Sequence, residues 1–140
     1  MMRLAGKIAF AALLGLTLAA CSDTAGSNDA DDAVGAYTLR TIDGQNLPVI
    51  VDQQGNDIAE VIQGSVTLNA NRTFTDLTVL RITEGGVVTT ENDETSGTWS
   101  LAGRTVQFAP GGLPAPYAMA WDGGDELTQL FNGFTLVYRR

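Results

Sequence analysis

From Gly35 to the C-terminus, apolar and polar residues alternate in short runs that are separated by glycine-containing turns. Alternation with a period of two is typical of β-strands that bury one face. The pattern predicts strands, some of which can merge, at 35–42, 46–52, 58–69, 73–83, 86–91, 97–102, 105–109, 115–121, 126–131 and 134–139.

The turns between these runs predict how the strands are connected. The turn signals are Asp43-Gly44, Gly85-Gly86, Gly103-Arg104, Gly123-Gly124 and Asn132-Gly133. Asn132-Gly133 is the strongest, because a type I′ hairpin turn requires positive φ at both central positions. Consecutive strands joined by tight turns form an antiparallel meander, and about eight such strands close most readily into a barrel. The predicted fold class is therefore all-β, a small closed barrel.

The aromatic residues of this region predict a filled barrel. An eight-stranded barrel is just wide enough to be filled by side chains or to hold one small ligand. Nine large rings and the aliphatic residues around them should fill most of this space and leave at best a shallow pocket at one open end. All nine aromatics after residue 34 lie on the phase that we assign to the interior: Tyr37, Phe74, Trp99, Phe108, Tyr117, Trp121, Phe131, Phe134 and Tyr138.

One predicted strand, 73–83, carries polar residues on its apolar phase. If the strand is regular, Asp76 and Thr78 point into the barrel, where an unpaired carboxylate is unfavourable and indicates contact with a polar ligand. If a β-bulge intervenes, Leu77 and Val79 enter the core and Asp76 stays in solvent. We favour the bulge, because bulges help the strands of small barrels to bend.

Four segments resemble a known family: GAYTLRTIDGQNLP, GSVTLNANRTFT, SGTWSLAGRTVQF and FTLVYRR. Together they are similar to the small lipocalin-like barrels found as bacterial envelope lipoproteins. The resemblance implies a module that binds a small apolar or amphipathic ligand. In lipocalins a Gly-x-Trp motif begins the first strand and an arginine packs over that tryptophan. The resemblance therefore assigns these roles to Gly35-Ala36-Tyr37 and to Arg139 or Arg140.

The N-terminal 20 residues have the organisation of a secretory signal peptide. Arg3 and Lys7 precede an apolar run from Ile8 to Ala20 that is too short to span a membrane as a helix. The run ends in Leu18-Ala19-Ala20-Cys21, which resembles the bacterial lipobox. That motif implies lipidation of the Cys21 thiol and cleavage just before it.

Lipidation predicts a location in the cell envelope. Two or three acyl chains anchor a protein stably, whereas one chain holds it only marginally. In the enteric sorting pattern that this segment resembles, serine after the cysteine permits export to the outer membrane, and Ser22 occupies that position. We therefore expect an outer-membrane lipoprotein that faces the periplasm.

The remaining chain is strongly acidic. Cleavage removes two of the eight Lys and Arg residues, which leaves six against 16 acids and a net charge of −10. Such a surface repels phosphate backbones, so we predict no binding to nucleic acid. Residues 21–34 read as the lipidated cysteine and a flexible acidic tether. The alternative, a calcium loop at Asp29, Asp31 and Asp32, lacks the turn glycine and distal glutamate of such loops.

Composition excludes most catalytic chemistry. The chain has no histidine, its only lysine is Lys7, and its only cysteine is Cys21. Serine triads, cysteine nucleophiles, Schiff bases and His-rich zinc sites therefore lack their essential groups. A carboxylate hydrolase is the remaining alternative. Its densest acids, Glu91, Asp93 and Glu94 in ENDETSG, are interpreted as a solvated loop. We predict no enzyme activity, no metal and no cofactor.

Besides the carboxylate hydrolase, which is a remote alternative, two noncatalytic functions stay open. The first is a lipid-anchored module that holds a small apolar ligand, with Asp76 and Thr78 as candidate contacts. The second is an interaction barrel, such as a periplasmic inhibitor or an assembly accessory, that acts through rim loops. The segment PGGLPAP (110–116) displays Leu113 and is the best candidate loop. In both cases we expect a monomer.

Overall fold

The structure is a computed structural model that describes residues 28–140. The predicted signal peptide and Cys21 lie outside this range. The described residues form one short helix, α1 (Asn28–Asp32), and ten strands: β1 (Gly35–Ile42), β2 (Gln45–Asn46), β3 (Val49–Gln54), β4 (Asp57–Leu68), β5 (Thr73–Glu84), β6 (Val87–Ala102), β7 (Thr105–Pro110), β8 (Tyr117–Trp121), β9 (Glu126–Phe131) and β10 (Phe134–Arg139).

The strands form one antiparallel sheet that closes on itself. Consecutive strands from β3 to β10 pair along the chain, and β10 returns to pair with β1. The first half of β1 also pairs with β4, with Gly35 opposite Leu68 and Thr38 opposite Ser65. These pairings close an eight-stranded barrel with β2 and β3 as two additional strands. The predicted all-β meander barrel is confirmed.

The hairpin between β9 and β10 shows the turn chemistry that its sequence predicts. Asn132 and Gly133 have φ values of 50° and 86°, both in the left-handed region that a type I′ turn requires. Phe131 and Phe134 face each other directly across this turn. The register of the last hairpin is therefore fixed by two residues.

The interpretation of ENDETSG as a solvated loop is wrong. The predicted strands 86–91 and 97–102 merge, because β6 runs without interruption from Val87 to Ala102. ENDETSG is consequently part of a strand that pairs with β5, with Glu91 opposite Leu80 and Asp93 opposite Thr78, and it is not a loop. No glycine or proline lies between Gly86 and Gly97, so nothing in the sequence ends the strand there.

The last residues of the segment predicted as a flexible tether pack against the barrel. Ala33 is completely buried, and its carbonyl accepts a 2.8 Å hydrogen bond from the Tyr37 hydroxyl. Ala30 and Val34 also pack against the core.

Within residues 28–140, no helix has the length and apolar character needed to cross a membrane.

Most of the predicted core aromatics occupy the barrel interior. Six of them are buried, namely Tyr37, Phe74, Trp99, Phe108, Trp121 and Tyr138, while Tyr117 and Phe134 are partly buried against the same core. Phe131 is the exception, because it is 55% exposed. It ends β9, so its inward phase places it at the rim and not in the core.

The favoured β-bulge in the Asp76 strand is also wrong. β5 pairs with β6 in continuous register from Thr73 to Glu84. The irregularity lies in the neighbouring strand β4, between Val61 and Gln63. The side chains of β5 therefore alternate regularly. Asp76 and Thr78 lie on the same face of the strand as Phe74, which points into the barrel.

Candidate binding site at the open end of the barrel

The end of the barrel where β1 begins is closed by a C-terminal arginine. The Arg140 guanidinium carbon lies 5.3 Å from the centroid of the Tyr37 ring, within the range of a cation–π interaction. The same guanidinium donates hydrogen bonds to the carbonyl oxygens of Val34 at 2.7 Å and Gly124 at 2.9 Å. Arg140 thus takes the place that the lipocalin resemblance assigned to Arg139 or Arg140.

A second arginine joins α1 to the same end. The Arg72 guanidinium carbon lies 4.7 Å from the centroid of a Trp99 ring. Its nitrogens donate to the Ala30 carbonyl at 3.2 Å and to the Asp31 carboxylate at 2.8 Å. Arg72 therefore fastens the helix over the barrel, and this end is covered.

The opposite end contains a carboxylate on the inward face. Asp76 is partly buried, and its Oδ2 accepts a hydrogen bond of 2.7 Å from the Tyr117 hydroxyl. These residues lie on β5 and β8, so the bond spans the interior across β6 and β7. Asp93 shares this face, because it stands opposite Thr78, the inward neighbour of Asp76 on β5.

Aromatic packing holds Tyr117 in position. Its ring stacks on Phe108 with centroids 4.7 Å apart and an angle of 9° between the ring planes. Phe74 meets both rings edge-on, at 4.8 Å from Phe108 and 6.2 Å from Tyr117. The three rings form an apolar floor under the Asp76 carboxylate.

The surroundings of Asp76 and Tyr117 favour the neutral form of both side chains. Burial raises the pKa of Asp76 above its ordinary value, the nearby charge of Asp93 raises it further, and the Tyr117 hydrogen bond offsets part of the effect. Burial also raises the pKa of Tyr117, and the hydrogen bond to Asp76 and its charge act in the same direction. Tyr117 therefore remains a protonated hydrogen-bond donor throughout the physiological pH range.

The raised pKa of Asp76 predicts a pH-dependent penalty. The folded state prefers the protonated form of Asp76. The contribution of this preference to folding stability is complete below the ordinary Asp pKa of about 3.9, and it is lost as pH rises through the folded-state pKa. Asp76→Asn keeps an oxygen for Tyr117 without the charge. We expect the variant to be at least as stable as wild type at pH 7, and its stability relative to wild type to increase as pH rises from acid to neutral.

Urea unfolding at several pH values measures this difference. Asp52→Asn on β3 is the matched control, because it removes the same charge from an exposed position and should change stability little. A loss of stability at pH 7 in Asp76→Asn alone would show that the Asp76 charge stabilises the fold, contrary to this account.

The structure brings together only two of the three site residues that the sequence predicted. Asp76 and Thr78 lie together on the inward face of β5. Leu113 is 95% exposed in the connection between β7 and β8, so it belongs to the rim. Sequence reasoning missed Tyr117, which it treated only as a core ring, and it placed Asp93 in a loop. The unbroken run between Gly86 and Gly97 is the signal that would have placed Asp93 correctly.

Apolar side chains are exposed around this open end. Leu130 and Phe131 at the end of β9 are 79% and 55% exposed, and Leu113 stands on the neighbouring connection. The wall is also incompletely paired there, since β8 pairs with β9 only at Ala120 and Trp121. The rim therefore offers apolar contacts and unpaired backbone to a partner.

Two grooves open on the surface of the described residues. One, of about 540 Å³, is lined by β6, β7 and β8, with the outer-face residues Thr98, Ser100 and Gln107 beside Trp99, Phe108 and Tyr117. The other, of about 200 Å³, lies at the covered end beside Arg104 and Asp32.

Comparison with known proteins gives no match to this chain among family models, curated proteins or solved structures.

Proposed function

We propose that this chain is a noncatalytic, lipid-anchored protein of the cell envelope that binds a partner at the open end of its barrel. The observation that carries the binding role is the difference between the two ends. Arg72, Arg140 and α1 cover one end, whereas the other exposes Leu113, Leu130 and Phe131 beside the Asp76–Tyr117 pair.

The packing of the interior favours the rim over a ligand inside the barrel. Phe74 and Phe108 are each 1% exposed and in direct ring contact, so they occupy the space that a fatty acid would need. Exposed apolar residues grouped at a rim are typical of a protein-interaction surface. An inhibitor or assembly accessory that acts through the rim therefore fits better than a carrier of a small apolar ligand.

The noncatalytic part of the proposal rests on the available groups. The chain has no histidine, and after cleavage at the lipobox it would have no lysine and only the lipidated cysteine. Asp76 is bound to Tyr117 over an apolar floor, and burial already disfavours its ionised form. Such a carboxyl is a poor nucleophile and serves better as a polar contact.

The anchor rests on the lipobox and is tested at Cys21. Wild type should incorporate labelled palmitate and partition into the detergent phase of envelope extracts, with a location in the outer membrane. Cys21→Ser should do neither, because the hydroxyl does not receive the diacylglycerol that the thiol carries. Ser22→Ala is the control, since it leaves the cysteine and the preceding residues unchanged and should be labelled normally.

Equal labelling of wild type and Cys21→Ser would overturn the anchor. A wild-type protein that is labelled but fractionates with the inner membrane would leave the anchor in place and correct the proposed location.

A further inference from the structure

The first part of β6 is a free strand edge. β6 pairs with β5 along the full length from Val87 to Thr98, but with β7 only from Gly97 to Ala102. Beyond Gly97, the Gly111 amide donates to the Ser96 carbonyl at 3.0 Å, and no other strand of residues 28–140 pairs on this side. Among the described residues, 87–95 therefore form a long edge that has no neighbouring strand on the side away from β5.

The hydrogen-bonding phase of this edge follows from two observed bonds. The Ser96 carbonyl points away from β5, toward Gly111, and the Trp99 amide points to the β5 side, toward the Arg72 carbonyl. Backbone groups alternate sides along an antiparallel strand. The register is unbroken, so the residues that direct N–H and C=O to the free edge are Val88, Thr90, Asn92 and Glu94.

Three of the nine residues of this edge are acidic, and none is basic. Glu91 and Asp93 project to the inward face, and Glu94 projects to the opposite face. All three are exposed, and no salt bridge within residues 28–140 pairs them. Two copies of this edge would place acids opposite or next to acids, which destabilises a sheet. The edge therefore disfavours self-association and favours a partner strand with positive charge.

We propose that residues 87–95 of β6 bind an extended, basic segment of another protein by strand addition. The segment continues the sheet where β7 ends, forms main-chain hydrogen bonds with Thr90, Asn92 and Glu94, and places basic side chains opposite Glu91 and Asp93. Side chains on that face lie beside Asp76 and the aromatic floor. This inference deepens the proposed binding role by naming the chemistry of the partner.

The edge of β3 is less suitable for the same partner. β3 is a terminal strand of the sheet, but it has six residues and a single acid, Asp52. Pro48 precedes it directly and cannot donate a hydrogen bond. The larger number of acids and the greater length of the β6 edge therefore both favour it as the binding edge for a basic segment.

A synthetic peptide tests the proposal with the full chain in detergent solution. The probe is acetyl-Thr-Lys-Val-Lys-Thr-Lys-Val-amide, and the control replaces every Lys by Glu. We expect saturable binding of the Lys peptide alone, weakened by added salt because the charges are exposed. N-methylation of the Thr and Val residues should abolish binding, whereas N-methylation of the Lys residues should have little effect.

Hydrogen exchange of the protein locates the peptide. Amides of Thr90, Asn92 and Glu94 should exchange rapidly in the free protein and slow at least about tenfold with peptide, whereas those of Glu91 and Asp93 should be protected in both states. The double variant Glu91→Gln and Asp93→Asn should bind about fivefold more weakly, and Asp52→Asn should bind normally.

Three results would overturn the proposal. They are equal binding of the Glu peptide, equal loss from both N-methylation patterns, and protection that appears on β3 instead of β6. None of them bears on palmitate labelling at Cys21, so the anchor can stand if the edge proposal fails.

Discussion

Phe108→Ala is expected to lower the free energy of unfolding by about 3–5 kcal/mol, the range for removing a buried aromatic ring. Phe108 is 1% exposed and contacts two further rings, with Phe74 edge-on at 4.8 Å and Tyr117 stacked at 4.7 Å. Alanine leaves a cavity between them and removes the surface that holds Tyr117 against Asp76. Urea unfolding, followed by the fluorescence of Trp99 and Trp121, measures the loss.

Phe131→Ala is the matched control, because the same ring is removed from the rim. Phe131 is 55% exposed, so its loss should lower stability by less than about 1 kcal/mol. Similar unfolding midpoints for the two variants would show that the interior is not packed around Phe108, and a ligand inside the barrel would again be feasible.

Gly97→Ala is expected to destabilise the fold by about 2–3 kcal/mol, although it adds only one methyl group. Gly97 lies on β6 directly opposite Pro110 of β7. A Cβ at Gly97 would lie 2.8 Å from the Pro110 Cα and still closer to the Ala109 carbonyl oxygen. Both are backbone atoms, so the end of β7 would have to move away from β6.

Gly112→Ala provides the comparison, measured by the same urea titration. It lies in the connection after β7, and a Cβ there would meet nothing within 4 Å. This variant should unfold within about 0.5 kcal/mol of wild type. An equally small effect at Gly97 would mean that β6 and β7 separate easily where their pairing ends.

The alternation of side chains made most of the fold predictable. In a hairpin with a short turn, a few neighbouring residues show both the alternation of each strand and the turn that joins them. The hairpin of β9 and β10 around Asn132-Gly133 is an example. The Tyr37–Arg140 contact was accessible only through the lipocalin resemblance, because it joins opposite ends of the chain. The length of β6 was missed because its acids suggested a loop, although an exposed strand can also carry acids.

The Asp76 site was harder to predict for a physical reason. A bulge in either β4 or β5 lets the barrel bend, and local sequence does not say which strand takes it. The structure places the irregularity between Val61 and Gln63, so β5 stays regular and Asp76 turns inward. Its partner Tyr117 is 41 residues away in sequence and carries no local sign of this role.

The packing of Ala33 and Ala30 against the barrel sets how far the domain could lie from a lipid anchor, if the anchor that we propose at Cys21 is in place. The chain from Cys21 to Asn28 could then span at most about 25 Å even when fully extended. The attachment would enter at the covered end, and the rim and the β6 edge would lie at the other end of the barrel. With that arrangement, we expect a partner strand to reach the β6 edge from the aqueous space.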